Sequence, residues 1–154
     1  MQKNSGLLSW TWRHPVSTAL LTMLLSGPVL ADGTLTVALT GIAPLSGEAG
    51  CSLFASDAGF PMDASTARTV WVTVTGPGTH CVIPSVKPGT YALSVAHDVN
   101  GNHKLDTNFI GLPLEQWGVS NNVRPTLRPP RFAEAAFVMP ADANNYSISI
   151  RVEK

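Results

Sequence analysis

The chain has 154 residues, ten Lys or Arg against ten Asp or Glu, and charged residues make up only 13% of it. That length suits one domain. The even balance, with no basic cluster, excludes a surface built to hold nucleic acid through its phosphates.

At the N-terminus Lys3 and Arg13 precede an apolar run, Val16 to Leu25, which Ser26-Gly27-Pro28 interrupts before Val29-Leu30-Ala31. A basic flank, a short apolar segment and a small-x-small site are the parts of a secretory signal peptide, with cleavage expected after Ala31. A membrane span needs about 20 apolar residues, and this run is broken well before that. No cysteine stands directly after the cut to carry a lipid. The expected organisation is therefore a signal peptide, residues 1–31, and one exported domain, residues 32–154, in the periplasm or outside the cell. Nothing in the second part is long and apolar enough to cross a bilayer. Without Lys3 and Arg13 it carries eight basic against ten acidic residues, a formal charge of −2.

Periodicity in that domain is two, the mark of half-buried strands. Leu35, Val37 and Leu39 alternate with Thr34, Thr36, Ala38 and Thr40. Weaker strand patterns follow at Cys51–Ala55 and His80–Ile83, and Ala64–Arg68 suggests one helical turn. Val70, Val72 and Val74 alternate with Thr69, Trp71, Thr73 and Thr75, and Tyr91, Leu93 and Val95 with Ala92, Ser94 and Ala96. Ala135–Met139 is a further weak candidate. Tyr146, Ile148, Ile150 and Val152 close the series. Turn residues at Gly76-Pro77-Gly78, Lys87-Pro88-Gly89 and Ala141–Asn144 separate the runs. About seven short strands without a helical stripe predict an all-β, antiparallel two-sheet sandwich.

Cys51 and Cys81 lack the CxxC spacing of redox or metal pairs, so a structural disulfide is expected in an oxidising compartment. It joins either neighbouring strands or the two sheets.

One stretch breaks the rhythm. From Asp98 to Phe132 there is little regular patterning, far more than the ~15 residues a compact domain leaves irregular without a functional reason. Phe109, Ile110, Leu112, Leu114, Trp117, Val119 and Phe132 give it apolar surface with which to pack onto the sandwich, so a long ordered loop is expected. Arg124, Arg128 and Arg131 are interleaved with prolines and read as a stiff, solvated segment.

The excursion opens with His97-Asp98-Val99-Asn100-Gly101-Asn102-His103-Lys104-Leu105-Asp106. Calcium loops place oxygens at positions 1, 3 and 5, a backbone carbonyl at 7 and often a ligand at 9. Counted from Asp98, these are Asn100, Asn102, the carbonyl of Lys104, and Asp106. His103 occupies the position where a sharp turn wants glycine, although His tolerates positive φ better than most residues. Position 12 is Phe109, so the bidentate glutamate is missing. Any calcium site is therefore weak, with a dissociation constant of about 10⁻⁴ to 10⁻³ M. Glu115, Asn108, Ser120 or Asn121 could complete the shell. Two other readings remain open. Asn100-Gly101 is a strong turn pair, and Asp and Asn cap their own turns without metal. His97 and His103 could instead hold a transition metal.

Pro88-Gly89-Thr90-Tyr91-Ala92, His97-Asp98, Asn100, Asn102, Leu105-Asp106, Asn108, Gly111, Pro113, Glu115, Gly118, Ser120-Asn121-Asn122 and Phe132 with Ala135 resemble the secreted bacterial family called domain of unknown function 2141. The resemblance covers about Leu35 to Val152. It implies a secreted or periplasmic sandwich of the immunoglobulin/transthyretin type, similar to carboxypeptidase-regulatory-like modules, and it implies no assigned activity. The chain departs from the family at His103, where glycine is usual.

The expected function is a non-catalytic module in which calcium orders a loop that presents Trp117, Ser120 and Asn121 to a protein, peptide or glycan. The alternatives are a structural or assembly subunit with a metal-free turn, and an enzyme using Glu115, Asp98 or Asp106 beside His97 or His103. No nucleophile-elbow, zinc-hydrolase or phosphate-loop motif supports the last.

Overall fold

A computed structural model of the protein describes residues 32–154; the expected signal peptide, residues 1–31, lies outside the described residues. In chain order the strands are β1 (Gly33–Thr40), β2 (Glu48–Phe54), β3 (Arg68–Thr73), β4 (His80–Val86), β5 (Gly89–Asp98), β6 (Trp117–Val119), β7 (Phe137–Met139) and β8 (Asn145–Arg151), with one short helix, α1 (Phe132–Ala135). They form a three-stranded sheet in the order β4-β1-β8 and a five-stranded sheet in the order β3-β2-β5-β6, with β7 added to the Gly89–Tyr91 end of β5. The molecule is the expected all-β two-sheet sandwich. No helix among the described residues is long and apolar enough to cross a membrane.

Alternation sets which side chains meet between the sheets. Leu35, Val37 and Leu39 of β1 are buried against Ala49, Cys51 and Leu53 of β2 and Leu93 and Val95 of β5, with Ile83, Ile150 and Val152 completing the core. Most pairs are antiparallel, but β8 runs parallel to β1, from Thr34 opposite Asn145 to Thr40 opposite Arg151. The alternation of a strand is the same in either direction, so periodicity could not show this.

Cys51 of β2 and Cys81 of β4 form the expected disulfide, and it joins the two sheets. β4 extends past the expected Ile83 to Val86 despite Pro84. It lies at the end of its sheet, and its register against β1 shifts between Gly33 and Leu35, which is where a strand accommodates proline. The helical turn expected near Ala64 is a 3-10 turn at Ala64–Thr66, capped by Asp63.

The outer face of the five-stranded sheet is also covered. Ala92, Val119 and Ala135 are buried there with Phe60, Trp117, Val123 and Phe132 around them. Phe60 stands edge-on between Phe54 and Phe132, at 5.2 and 6.0 Å. This second core fastens the end of the excursion to the sheet.

Candidate functional site

The excursion begins where β5 ends. Asp98, opposite Glu48 of β2, is fully buried. Its Oδ1 accepts the backbone N–H groups of Gly101 (2.7 Å) and Asn102 (3.3 Å), and its Oδ2 that of His103 (2.6 Å). The loop can wrap round the carboxylate because Gly101 and His103 both take positive φ, 75° and 57°. Burial pushes the Asp98 carboxyl upward, but the N–H groups of His103, Gly101, Asn102 and Asn100 outweigh it and hold the group below its ordinary value of 3.8.

A second carboxylate faces the same loop. Asp106 accepts the Asn100 amide at 2.7 Å and the Asn102 amide at 2.9 Å, one on each oxygen. The other ends of those amides brace the backbone: Asn100 Oδ1 accepts from Asn102 N–H, and Asn102 Oδ1 from Lys104 N–H. The Lys104 side chain is exposed. Glu115 closes the loop from the far side, accepting the N–H of Val99 on Oε1 (3.0 Å) and that of Asp106 on Oε2 (3.1 Å). Asp98, Asn100, Asn102, Asp106 and Glu115 thus form one bonded cluster. Of the candidate completing residues only Glu115 reaches it.

His97 and His103 do not converge on a common site. His97 is buried, donates from Nε2 to the Ser46 carbonyl (2.8 Å), and has Nδ1 3.2 Å from Gln116 Oε1. His103 is exposed, bonds Glu48 Oε2 through Nε2 at 2.7 Å, and stacks on Trp71 with ring centroids 4.3 Å apart. The carboxylates of Glu48 and Asp98 and the imidazole of His103 each bring a ligand-capable atom within 4.8 Å of the others. Sequence reading missed Glu48 and Trp71. Their approach depends on the pairing of β2 with both β3 and β5, and β2 begins three residues before its apolar pattern does.

Of the expected presenting residues Ser120 is buried, Trp117 is half-buried and Asn121 is exposed, and each makes a structural contact. Ser120 is 1% exposed; its hydroxyl donates to the Ala135 carbonyl and accepts the Leu93 N–H at 2.9 Å. Asn121, at φ 60°, donates its amide to the carbonyls of Glu134 and Ala136. Trp117 lies in β6 under the guanidinium of Arg124, 4.3 Å from its ring centre. Conversely, Trp117, Val119 and Phe132 pack as expected, but Phe109, Ile110, Leu112 and Leu114 do not: all four are exposed.

Two of the three arginines are held rather than simply solvated, and Arg131 is exposed as expected. Arg124 donates to the carbonyls of Trp117 and Glu153. Arg128 grips both oxygens of Glu134, and with the Arg131 N–H this lowers the Glu134 carboxyl to about 2.

No curated protein and no solved structure matches the chain. The family model described as an uncharacterized protein conserved in bacteria, DUF2141, matches residues 37–147, from within β1 to within β8, and the chain belongs to that family.

Proposed function

We propose that the protein is an exported, non-catalytic sandwich module whose loop 98–106 takes a weakly held calcium ion and so steadies the excursion it begins. The observation that carries this is the gathering of Asp98, Asn100, Asn102, Asp106 and Glu115 into one bonded cluster, with His103 already in the left-handed conformation that the sixth loop position requires. Turning over the two Asn amides would add their oxygens beside Asp106, and the Lys104 carbonyl supplies the remaining position. Those amides must give up existing hydrogen bonds to do so, which keeps affinity in the range of about 10⁻⁴ to 10⁻³ M. Export is supported by the N-terminal pattern and by the inter-sheet disulfide. A non-catalytic role is supported by the commitment of Asp98, Glu115 and His97 to protein partners.

A second reading has its own observation. Every carboxylate in the cluster already accepts two or three N–H groups, so the loop is complete as a metal-free turn. Thermal unfolding in EDTA and in about 10 mM calcium separates the two. A site of about 10⁻⁴ M gives about 2.7 kcal/mol of stabilisation, a rise of several degrees. Asp106→Asn should abolish the rise while leaving the Asp98 backbone bonds in place. No rise in the unaltered chain establishes the metal-free turn.

A further inference from the structure

Between Asp106 and Glu115 the chain makes a tight turn closed by a bridge between Thr107 and Pro113. Its eight residues, Thr107–Leu114, carry no charge. Four are apolar and open to solvent: Phe109 is 98% exposed, Ile110 64%, Leu112 57% and Leu114 50%. Apolar residues contiguous in sequence and held outward in this way are uncommon on a protein that meets only water.

The backbone of the turn says what covers it. Asn108 N–H donates to the Leu112 carbonyl and Gly111 N–H to the Asn108 carbonyl. Asn108 Oδ1 takes the N–H groups of Ile110 and Leu112, and Leu114 N–H reaches the Asp106 carbonyl. Pro113 has no N–H. Six residues from Asn108 to Leu114 therefore offer no free backbone donor, and the Phe109 N–H alone lacks an acceptor within the turn. A loop made to dock on a protein gains register from the main-chain groups it presents. A segment entering lipid must satisfy them internally. The turn does so for these N–H groups, and its unpaired carbonyls stay within reach of water only if the turn stops at the hydrated headgroup zone. The turn carries no basic residue, and the charges that flank it in sequence, Asp106 and Glu115, are acidic, which suits a neutral surface and not an anionic one.

We propose that the Thr107–Leu114 turn inserts into the interfacial zone of a zwitterionic phospholipid bilayer, with Phe109, Ile110 and Leu112 as its anchors. The inference rests on the exported sandwich proposed above, whose excursion carries the turn, and it does not require calcium in loop 98–106.

The test uses the full chain with Leu112→Cys carrying an environment-sensitive fluorophore, since the only other cysteines are paired. Vesicles of phosphatidylcholine and phosphatidylethanolamine should shift its emission to the blue, and spin-labelled lipid should quench it, in calcium and in EDTA alike. Adding Phe109→Ser and Ile110→Ser should remove most of the shift. Both forms carry the same apolar N-terminal run, so flotation alone is not the readout. The substituted side chains are exposed, and an unchanged thermal midpoint shows that the variant is folded. An emission unaltered by vesicles overturns the proposal, as does a shift that survives the double substitution. So does a shift that appears without vesicles as protein concentration rises, which makes a second copy of the chain the occupant. A calcium-dependent thermal rise with no vesicle response leaves the loop reading intact and ends this one.

Discussion

The imidazole of His103 lies against the indole of Trp71, ring centroids 4.3 Å apart and planes 16° from parallel, while its own backbone holds φ at 57°. The two facts oppose each other energetically. Left-handed backbone costs a non-glycine residue about 1–2 kcal/mol, and an aromatic stack returns about 0.5–1.5 kcal/mol. His103→Gly removes both, together with the exposed bond to Glu48, and should change stability by no more than about 1.5 kcal/mol. His103→Ala keeps the cost and loses the stack, so it should fall below the glycine variant by about 1 kcal/mol. Urea midpoints at neutral pH decide it; an alanine variant as stable as the glycine one would show that the backbone there relaxes.

Asp98 should contribute to the acid sensitivity of the fold, beside the more strongly lowered Glu134. Its folded-state pKa lies below 3.8 because backbone N–H groups prefer the charged form. The stability this gives is complete above the unfolded value and disappears as pH falls through the lowered folded one. Asp98→Asn removes the charge and turns an N–H₂ toward a backbone donor, at a cost of about 2–3 kcal/mol near neutrality. Unfolding of the two proteins measured from pH 6 to pH 2 should show that difference narrowing only below about pH 4. A constant difference would mean that the carboxylate's charge is not what the loop uses.

The disulfide closes 30 residues of chain between β2 and β4, strands that belong to different sheets. Constraining a loop of that length in the unfolded state is worth about 3–4 kcal/mol. Both sulfurs lie in the main core, so a Cys51→Ala, Cys81→Ala double variant also loses packing. Denaturant unfolding should show a midpoint lowered accordingly, with a steeper slope because the freed chain exposes more surface. An unchanged slope would place the effect in the folded core alone.

Much of this was legible from residues alone. Period two located β1, β3, β5 and β8 to within a few residues because a half-buried strand writes its burial directly into its sequence. What escaped was whatever depends on two strands at once. Glu48 meets Asp98 and His103 only through register, and Ala49 and Gly50 disguise the start of β2. Gly50 is needed there because the Trp71 ring lies where a side chain would stand. In the excursion, apolar content alone could not separate Phe132, which packs, from Phe109, which does not. That difference is made by the tight turn at Asn108, which points its neighbours outward.

Ser120 ties three segments with one hydroxyl, and its removal should show how the excursion is fastened. The side chain is buried between β5 and α1, accepting from Leu93 and donating to Ala135. Ser120→Ala leaves a buried N–H and a buried carbonyl without that partner, a loss of about 1–3 kcal/mol. The same loss could come from general loosening of the core, so a local readout is required. Hydrogen exchange at the Leu93 amide should accelerate in the variant, while exchange at Val37 and Leu39 in the opposite sheet changes only by the global amount. Equal acceleration at all three would mean that Ser120 supports the whole sandwich rather than the join between β5 and the end of the excursion.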